Sequence, residues 1–300
     1  MEKQVRTVDE KRGIVQVTTY DERWYCKQGE DPKTKLPTYD YVPSVTWVTS
    51  KYPKGVEFFK WLAKKGWDES QAIKDAAGSK GSAMHKGAED LLAGESIKMD
   101  GEYTDVKTGE IRPLTVEEYY GIMTFADWYK DLCSKHEVSV IASEITVWND
   151  EDNYAGTVDL VLNVDGKNII VDLKSGQNTW PEHELQLSAY KRALDLAGTE
   201  IAEIAILQIG YKRNKRGWKY TPMTYKYDLY LAAKTIWENE CSNVTVHQRD
   251  YPIEINLGDL PIIAMEAEVT ADDVPLAEVE TTPTEPVVDP KPKKKVTNKK

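Results

Sequence analysis

The second half of the chain alternates between two spacings of apolar residues. Short runs rich in valine and isoleucine predict strands at residues 140–148, 155–164 and 167–174. The apolar spacing then becomes helical over residues 181–197. Strands followed by a helix, and then by further strands and a helix, indicate an α/β core. The elements expected to complete this core are strands at 202–210 and 217–225 and a helix at 228–240.

The first half of the chain is predicted to be mainly helical. Helical spacing covers residues 55–65, 68–77 and 81–93, and Thr115 is expected to begin another helix that ends near Lys135. The final segment is rich in proline and charge, so it cannot bury enough apolar surface to order itself. The pattern divides the chain into strands and loops at 1–50, a helical half at 51–138, a core at 139–260 and a disordered tail at 261–300.

Net charge limits the ways in which this chain can bind polyanions. The formal net charge is -11 at pH 7. Binding of nucleic acid over the whole surface is therefore excluded, because lysine and arginine supply the affinity for phosphate. Any such binding must be local, with basic groups gathered along one groove.

The cysteines and the apolar runs bear on location. Cys26, Cys133 and Cys241 are far apart and form no CxxC pair, which indicates neither a zinc knuckle nor a disulfide framework. No stretch approaches the ~20 apolar residues of a membrane span, and the first residues lack the apolar core of a signal peptide. We expect a soluble protein in a reducing cytoplasm, without a membrane partner.

A two-residue turn fixes the register of one hairpin. Asp165 and Gly166 lie between two β-branched runs, which is the strongest short-range signal for a type I′ turn. If Val164 pairs with Lys167, the same register places two acids opposite each other further along the strands. These acids are Asp159 and Asp172.

The facing acids predict a cation site. Directly opposite like charges destabilise a sheet, and Lys174 shares the face of Asp172 because side chains alternate. Two buried carboxylates and one ammonium favour a divalent cation with oxygen ligands. The plainer alternative is a surface salt bridge between Lys174 and one acid. Glu144, in the preceding strand, is a third candidate acid, although by alternation alone it could equally face solvent.

These residues suit phosphodiester hydrolysis. A bound cation lowers the pKa of a water molecule and neutralises charge on the phosphate. Lys174 would orient or deprotonate that water, with its pKa depressed by the cation and by partial burial. Removing one of the two facing acids is expected to abolish hydrolysis and to spare the fold.

Four motifs in order resemble a known family. They are Gly81–His85, Gly156–Asp159, Asp172–Lys174 and Gln186–Tyr190. The set resembles the PD-(D/E)XK nuclease superfamily, in particular its RecB-like branch, and residues 40–195 more loosely resemble phage exonucleases and the mitochondrial genome maintenance exonuclease. The resemblance implies a restriction-endonuclease-like core, in which helices flank a mixed central sheet.

The resemblance also implies roles for single residues. His85 alone is more often an ordinary polar residue than a ligand, but the family pattern makes it a metal ligand. The expected cofactor is Mg²⁺ or Mn²⁺, with no iron–sulfur cluster, because the cluster cysteines are missing. The implied metal ligands are His85, Asp159, Asp172 and the carbonyl of Leu173, while Lys174 is catalytic and Gln186 and Tyr190 brace the site or contact DNA.

A basic segment offers a surface for DNA. It interleaves cations with aromatic rings, as strand-tracking surfaces do. The alternative is an exposed hairpin whose charges keep its edge soluble. The residues of this basic segment are Lys212, Arg213, Lys215, Arg216, Trp218 and Lys219.

These patterns together predict a metal-dependent deoxyribonuclease. We favour the interpretation that the chain is an exonuclease, which acts on DNA ends in phage or bacterial replication or recombination. A recombinase or a single-strand-binding protein is a candidate partner. A structure-specific endonuclease and a non-catalytic DNA-end-binding accessory protein are the alternatives.

Overall fold

A computed structural model describes residues 4–18, 22–105 and 109–241, and the chain begins with an antiparallel sheet. Its four strands pair in chain order. The sequence had predicted strands and loops here, without their pairing. The strands are β1 (Gln4–Asp9), β2 (Ile14–Thr18), β3 (Arg23–Glu30) and β4 (Pro37–Pro43).

Three helices follow: α1 (Val45–Thr49), α2 (Val56–Lys65) and α3 (Trp67–Leu92). The two helices predicted at 68–77 and 81–93 are one continuous helix, so that prediction was wrong. Glycine inside a helix costs only about 1 kcal/mol, and tertiary packing of the later turns of α3 offsets that cost.

A small hairpin and a capped helix connect the two halves of the chain. The hairpin consists of β5 (Glu102–Thr104) and β6 (Ile111–Pro113), which the sequence did not predict. Helix α4 (Val116–Cys133) begins where Thr115 predicted, because the Thr115 side chain accepts the Glu118 backbone N–H in a capping box.

A five-stranded mixed sheet lies at the centre of the described chain. Its strands are ordered β11-β10-β9-β8-β7, and β9 and β10 run parallel through a helical crossover. All of the elements predicted here are present. They are β7 (Val138–Asn149), β8 (Tyr154–Val164), β9 (Lys167–Lys174), α5 (Pro181–Leu196), β10 (Glu203–Ile209), β11 (Trp218–Pro222) and α6 (Tyr227–Cys241).

Helices cover both faces of this sheet, which confirms the α/β fold class. Val161 and Ile170 pack in one core cluster with residues of α1, α5 and α6. Leu162 and Val171 pack in another with residues of α3 and α4. Strands buried on both faces explain why their sequences are almost continuously apolar.

The segment boundaries expected at residues 50 and 138 both lie inside the one compact unit that contains all of the described residues. The tail expected at 261–300 lies outside the described residues. Within the described ranges, none of the helices is both long and apolar enough to cross a bilayer.

Candidate active site

The turn between β8 and β9 has the predicted geometry. Asp165 and Gly166 both have positive φ, 50° and 81°, as both central residues of a type I′ turn require. The predicted register holds from this turn as far as Leu160 opposite Val171. The local sequence signal therefore fixed the alignment of the two strands that carry the candidate site.

Beyond that pair, the regular alternation of the strands is interrupted. Glu144 has a φ of 50° inside β7, and Val158 packs in the same core cluster as Val161, three residues away. The Asp159 carboxylate accepts a hydrogen bond from the Leu173 backbone N–H at 2.7 Å. This irregularity directs Asp159 towards α3 instead of leaving it in the plain alternation that was predicted.

Three side chains converge between α3 and the sheet; we call them the acid–imidazole cluster. His85, Glu144 and Asp159 each offer a ligand atom within 4.8 Å of the others. His85 Nδ1 lies 3.6 Å from Asp159 Oδ1 and 3.9 Å from Glu144 Oε1. Glu144, whose direction the sequence left open, thus faces the interior of the site.

The hydrogen bond of the second ring nitrogen of His85, Nε2, determines which nitrogen is available to a cation. His85 Nε2 lies 3.0 Å from the Leu173 carbonyl oxygen, which can only accept. Nε2 therefore carries the proton in the neutral ring, and the lone pair of Nδ1 points at two carboxylates. Such a donor set fits a divalent cation. The Leu173 carbonyl, which the resemblance implies as a metal ligand, accepts this hydrogen bond in the described structure.

Burial makes ionisation of the two acids costly. Burial first, and then the charge of the neighbouring Asp159 carboxylate, raise the pKa of Glu144 to about 7. Burial also raises the pKa of Asp159. A bound cation would oppose both effects, because it favours the charged form of each acid.

A second group of side chains, the lysine network, lies on the α5 side. The Lys174 ammonium is 2.7 Å from Asp172 Oδ2, and Gln186 Nε2 donates to Asp172 Oδ1 at 3.1 Å and to the Tyr190 hydroxyl at 3.2 Å. The structure thus brings these four predicted residues together. Asp172, however, pairs with Lys174 and is not one of the three converging ligand groups, which differs from the implied ligand set.

Lys174 is a firmly charged cation in this environment. Burial by itself would lower its pKa, but the Asp172 and Asp159 carboxylates outweigh burial and raise it. The depressed pKa that we expected beside a bound cation remains a prediction, and without a cation the pKa is raised. The physical reason is the short ion pair with a buried carboxylate.

The position of Gly156 in its motif has a steric reason. A Cβ atom at this position would lie 2.5 Å from the Tyr190 ring, closer than real Cβ contacts. The absence of a side chain therefore lets Tyr190 pack directly on β8. Burial raises the pKa of Tyr190 well above its usual value, so the phenol stays neutral.

Sequence reasoning missed His183. This residue lies in the first turn of α5, where its Nδ1 accepts the Trp180 backbone N–H at 3.3 Å. Burial first, and then the charge of Lys174, lower the pKa of His183 to about 4. Its position three residues before Gln186, on the same helix face, was the signal that could have found it.

The basic segment only partly borders the site. The Lys212 backbone N–H donates to Gln177 Oε1 at 2.8 Å, and Arg213 donates to Asn178 Oδ1 at 2.9 Å. Both contacts reach the loop that follows Lys174. The rest of the segment lies elsewhere: Arg216 contacts the ring of Trp218, Trp218 packs partly buried against the core, Lys219 lies near the Tyr211 ring, and Lys215 is exposed.

Comparisons with known proteins add little to this geometry. Neither a scan of protein-family models nor a search of curated proteins found a match. Among solved structures, SSO0001 aligns with a TM-score of 0.29 and 10% identity, over 54% of this chain and 85% of that chain. A likeness of this size carries no argument about fold or function.

Proposed function

We propose that this chain is a metal-dependent deoxyribonuclease with a PD-(D/E)XK core of the RecB-like branch, acting as an exonuclease on DNA ends. The observation that carries the proposal is the acid–imidazole cluster beside a partly buried Lys174 that is paired with Asp172. A cluster of hard ligands next to a fixed ammonium suits phosphate chemistry and has no evident structural purpose.

His85, Glu144 and Asp159 are the residues that would hold Mg²⁺ or Mn²⁺. When bound, the cation supplies an attacking water of lowered pKa and positive charge beside the phosphate. The electron-rich atoms of the three side chains already converge, so little reorganisation is needed. Asp172, implied as a ligand, is assigned instead to holding Lys174.

Lys174 acts as an electrostatic catalyst. Its pKa is raised, so it stays protonated and stabilises negative charge that grows on the phosphate oxygens. Asp172 holds the ammonium in position, Gln186 fixes Asp172, and Tyr190 supports Gln186. A general-base role requires a free amine near neutral pH, which the ion pair with Asp172 opposes.

Substrate, partner and location follow from the same proposal. Lys212 and Arg213 stand beside the loop after Lys174, where they would contact phosphates of the bound strand. The expected setting is the cytoplasm of a bacterium or of a phage-infected cell. A recombinase or a single-strand-binding protein would present the DNA end.

Digestion of end-labelled oligonucleotides tests the proposal. Single- and double-stranded substrates are incubated with Mg²⁺, Mn²⁺ or EDTA, using the wild type, Asp159→Asn and, as a control, Asp131→Asn, which alters a half-buried acid paired with Lys135 outside the cluster. We expect metal-dependent cleavage by the wild type and the control, and none by Asp159→Asn. Absence of cleavage under all conditions, with DNA binding retained, would indicate the accessory protein instead.

Supercoiled circular DNA separates exonuclease from endonuclease. An exonuclease leaves it intact, because the circle offers no end, and degrades the same DNA once it is linearised. Conversion of the circle to linear DNA would replace the exonuclease assignment with the endonuclease alternative.

A further inference from the structure

The helical arm, residues 56–80, exposes several aromatic rings. It comprises α2 and the first turns of α3, and Ser70 is its one buried residue. Phe58 contacts the rings of Phe59 and Trp61, and Trp67 follows further along the arm. Phe59 and Trp67 are 56% and 64% exposed. Large exposed rings gathered in one place mark a binding surface.

The beginning of the arm, with the residues just before it, is basic on an acidic protein. Residues 51–66 contain five lysines and a single acid, Glu57, whereas residues 67–80 contain two lysines and three acids and the whole chain has a net charge of -11. The ion pair of Lys60 with Glu57 is highly exposed, so it adds little stability. Cations interleaved with aromatic rings suit a single-stranded nucleic acid, whose bases stack while its phosphates pair with lysine.

Both ends of the arm lie beside the candidate active site. Just before it, the Lys54 ammonium contacts Glu182 in the first turn of α5. Just after it, a Cβ on Gly81 would lie 3.6 Å from Ser175, the residue that follows Lys174. A strand bound along the arm would therefore reach the site directly.

We propose that the helical arm binds single-stranded DNA that leads into the active site, by stacking bases on Phe59, Trp61 and Trp67. This inference rests on the proposed function, because it assumes that the substrate is DNA. A second copy of this chain is the less suitable occupant, since α2, with three lysines and one acid, would repel the same helix of another copy.

Fluorescence anisotropy with labelled oligothymidylate in EDTA tests the arm without requiring hydrolysis. The variant is Phe59→Ala/Trp61→Ala/Trp67→Ala, and the control is Tyr39→Ala/Tyr225→Ala, which removes exposed rings elsewhere. We expect the arm variant to bind at least about tenfold more weakly, because one stacked base contributes a factor of about 5 to 150. The control should bind like the wild type.

Substitution of lysines gives an independent measure. Lys60→Ala/Lys64→Ala should reduce the slope of log affinity against log salt by about 1.4, which corresponds to two fewer phosphate contacts on a single strand. Unchanged affinity and slope in both arm variants, with unchanged circular dichroism, would overturn the proposal. So would a loss of dimer mass in the aromatic variant, which would identify the arm as a contact between copies.

The two proposals fail separately. Metal-dependent cleavage with an arm variant of normal affinity would refute the arm and leave the nuclease. If the wild type cleaves nothing but the arm variant binds DNA more weakly than the wild type does, the proposal for the arm is supported and the nuclease proposal is refuted.

Discussion

The two sides of the candidate active site balance charge in different ways. In the lysine network, Asp172 has a cation at 2.7 Å and an amide donor at 3.1 Å, both supplied by the protein. In the acid–imidazole cluster, neither Glu144 nor Asp159 has an ion pair with lysine or arginine among the described residues. Both sides contain acids, but only those of the acid–imidazole cluster lack a direct lysine or arginine partner. We therefore expect a cation from solution to bind at this cluster.

Asp159→Asn should give the largest effect on activity. It removes one of two charges from the acid–imidazole cluster while leaving an oxygen for the Leu173 N–H. We expect hydrolysis to fall more than about a thousandfold, because several kcal/mol of transition-state stabilisation depend on the cation. Calorimetric titration with Mn²⁺ should show weaker binding, and the melting temperature in EDTA should not fall. Normal Mn²⁺ affinity in this variant would contradict the division between the two sides.

Asp172→Ala should behave differently from Asp159→Asn in stability. The facing acids in the sequence led us to expect that the fold would be spared, but the structure pairs Asp172 with Lys174. Removal of Asp172 leaves a partly buried ammonium and the Gln186 amide without their shared partner, which costs about 1–3 kcal/mol. Urea denaturation measures this loss, and Asp172→Ala/Lys174→Met should recover part of it. A double variant no more stable than the single one would show that the pair is not coupled.

Local signals predicted what local geometry controls. The Asp165–Gly166 turn set the hairpin register, and helical spacing placed Gln186 next to Tyr190. Both depend on residues within four positions of each other. Such relations follow from backbone geometry alone.

Relations between distant segments could not be read in the same way. The direction of the Glu144 side chain depends on its positive φ inside β7. No glycine or other turn residue in the sequence indicates this backbone conformation. The distinction between Asp159 and Asp172 depends on which helix packs on which face of the sheet. Alternation along a strand cannot supply either fact once the alternation is interrupted.

Gly156→Ala should disturb the lysine network alone. The new Cβ would lie 2.5 Å from the Tyr190 ring, so the ring that supports Gln186 must move. We expect a loss of about 1–3 kcal/mol in the free energy of unfolding, as for other overpacked positions. Gly176→Ala is the matched control, because its Cβ would meet nothing closer than 3.9 Å. Mn²⁺ affinity should stay close to that of the wild type, since the acid–imidazole cluster is untouched; equal stability of both variants would refute the steric argument.

The smallest expected effect is a pH dependence that belongs to the acid–imidazole cluster. Burial, followed by the Asp159 charge, raises the pKa of Glu144 from 4.5 to about 7. The folded protein then binds a proton more tightly than the unfolded chain, so this contribution is full below the unfolded pKa and is lost as pH rises through 7. In EDTA, wild type should therefore lose stability relative to Glu144→Gln between about pH 5 and about pH 8.

Urea denaturation of both proteins across this range measures the difference. His183, whose pKa burial lowers to about 4, contributes in the opposite direction, since its stabilisation is lost as pH falls below 6.5. Because His183 is present in both proteins, its contribution cancels in the difference. Mg²⁺ should restore the wild type at the higher pH, where Glu144 is ionised and can bind it. A difference that stays constant with pH, with or without Mg²⁺, would mean that Glu144 is balanced by the protein itself, as Asp172 is.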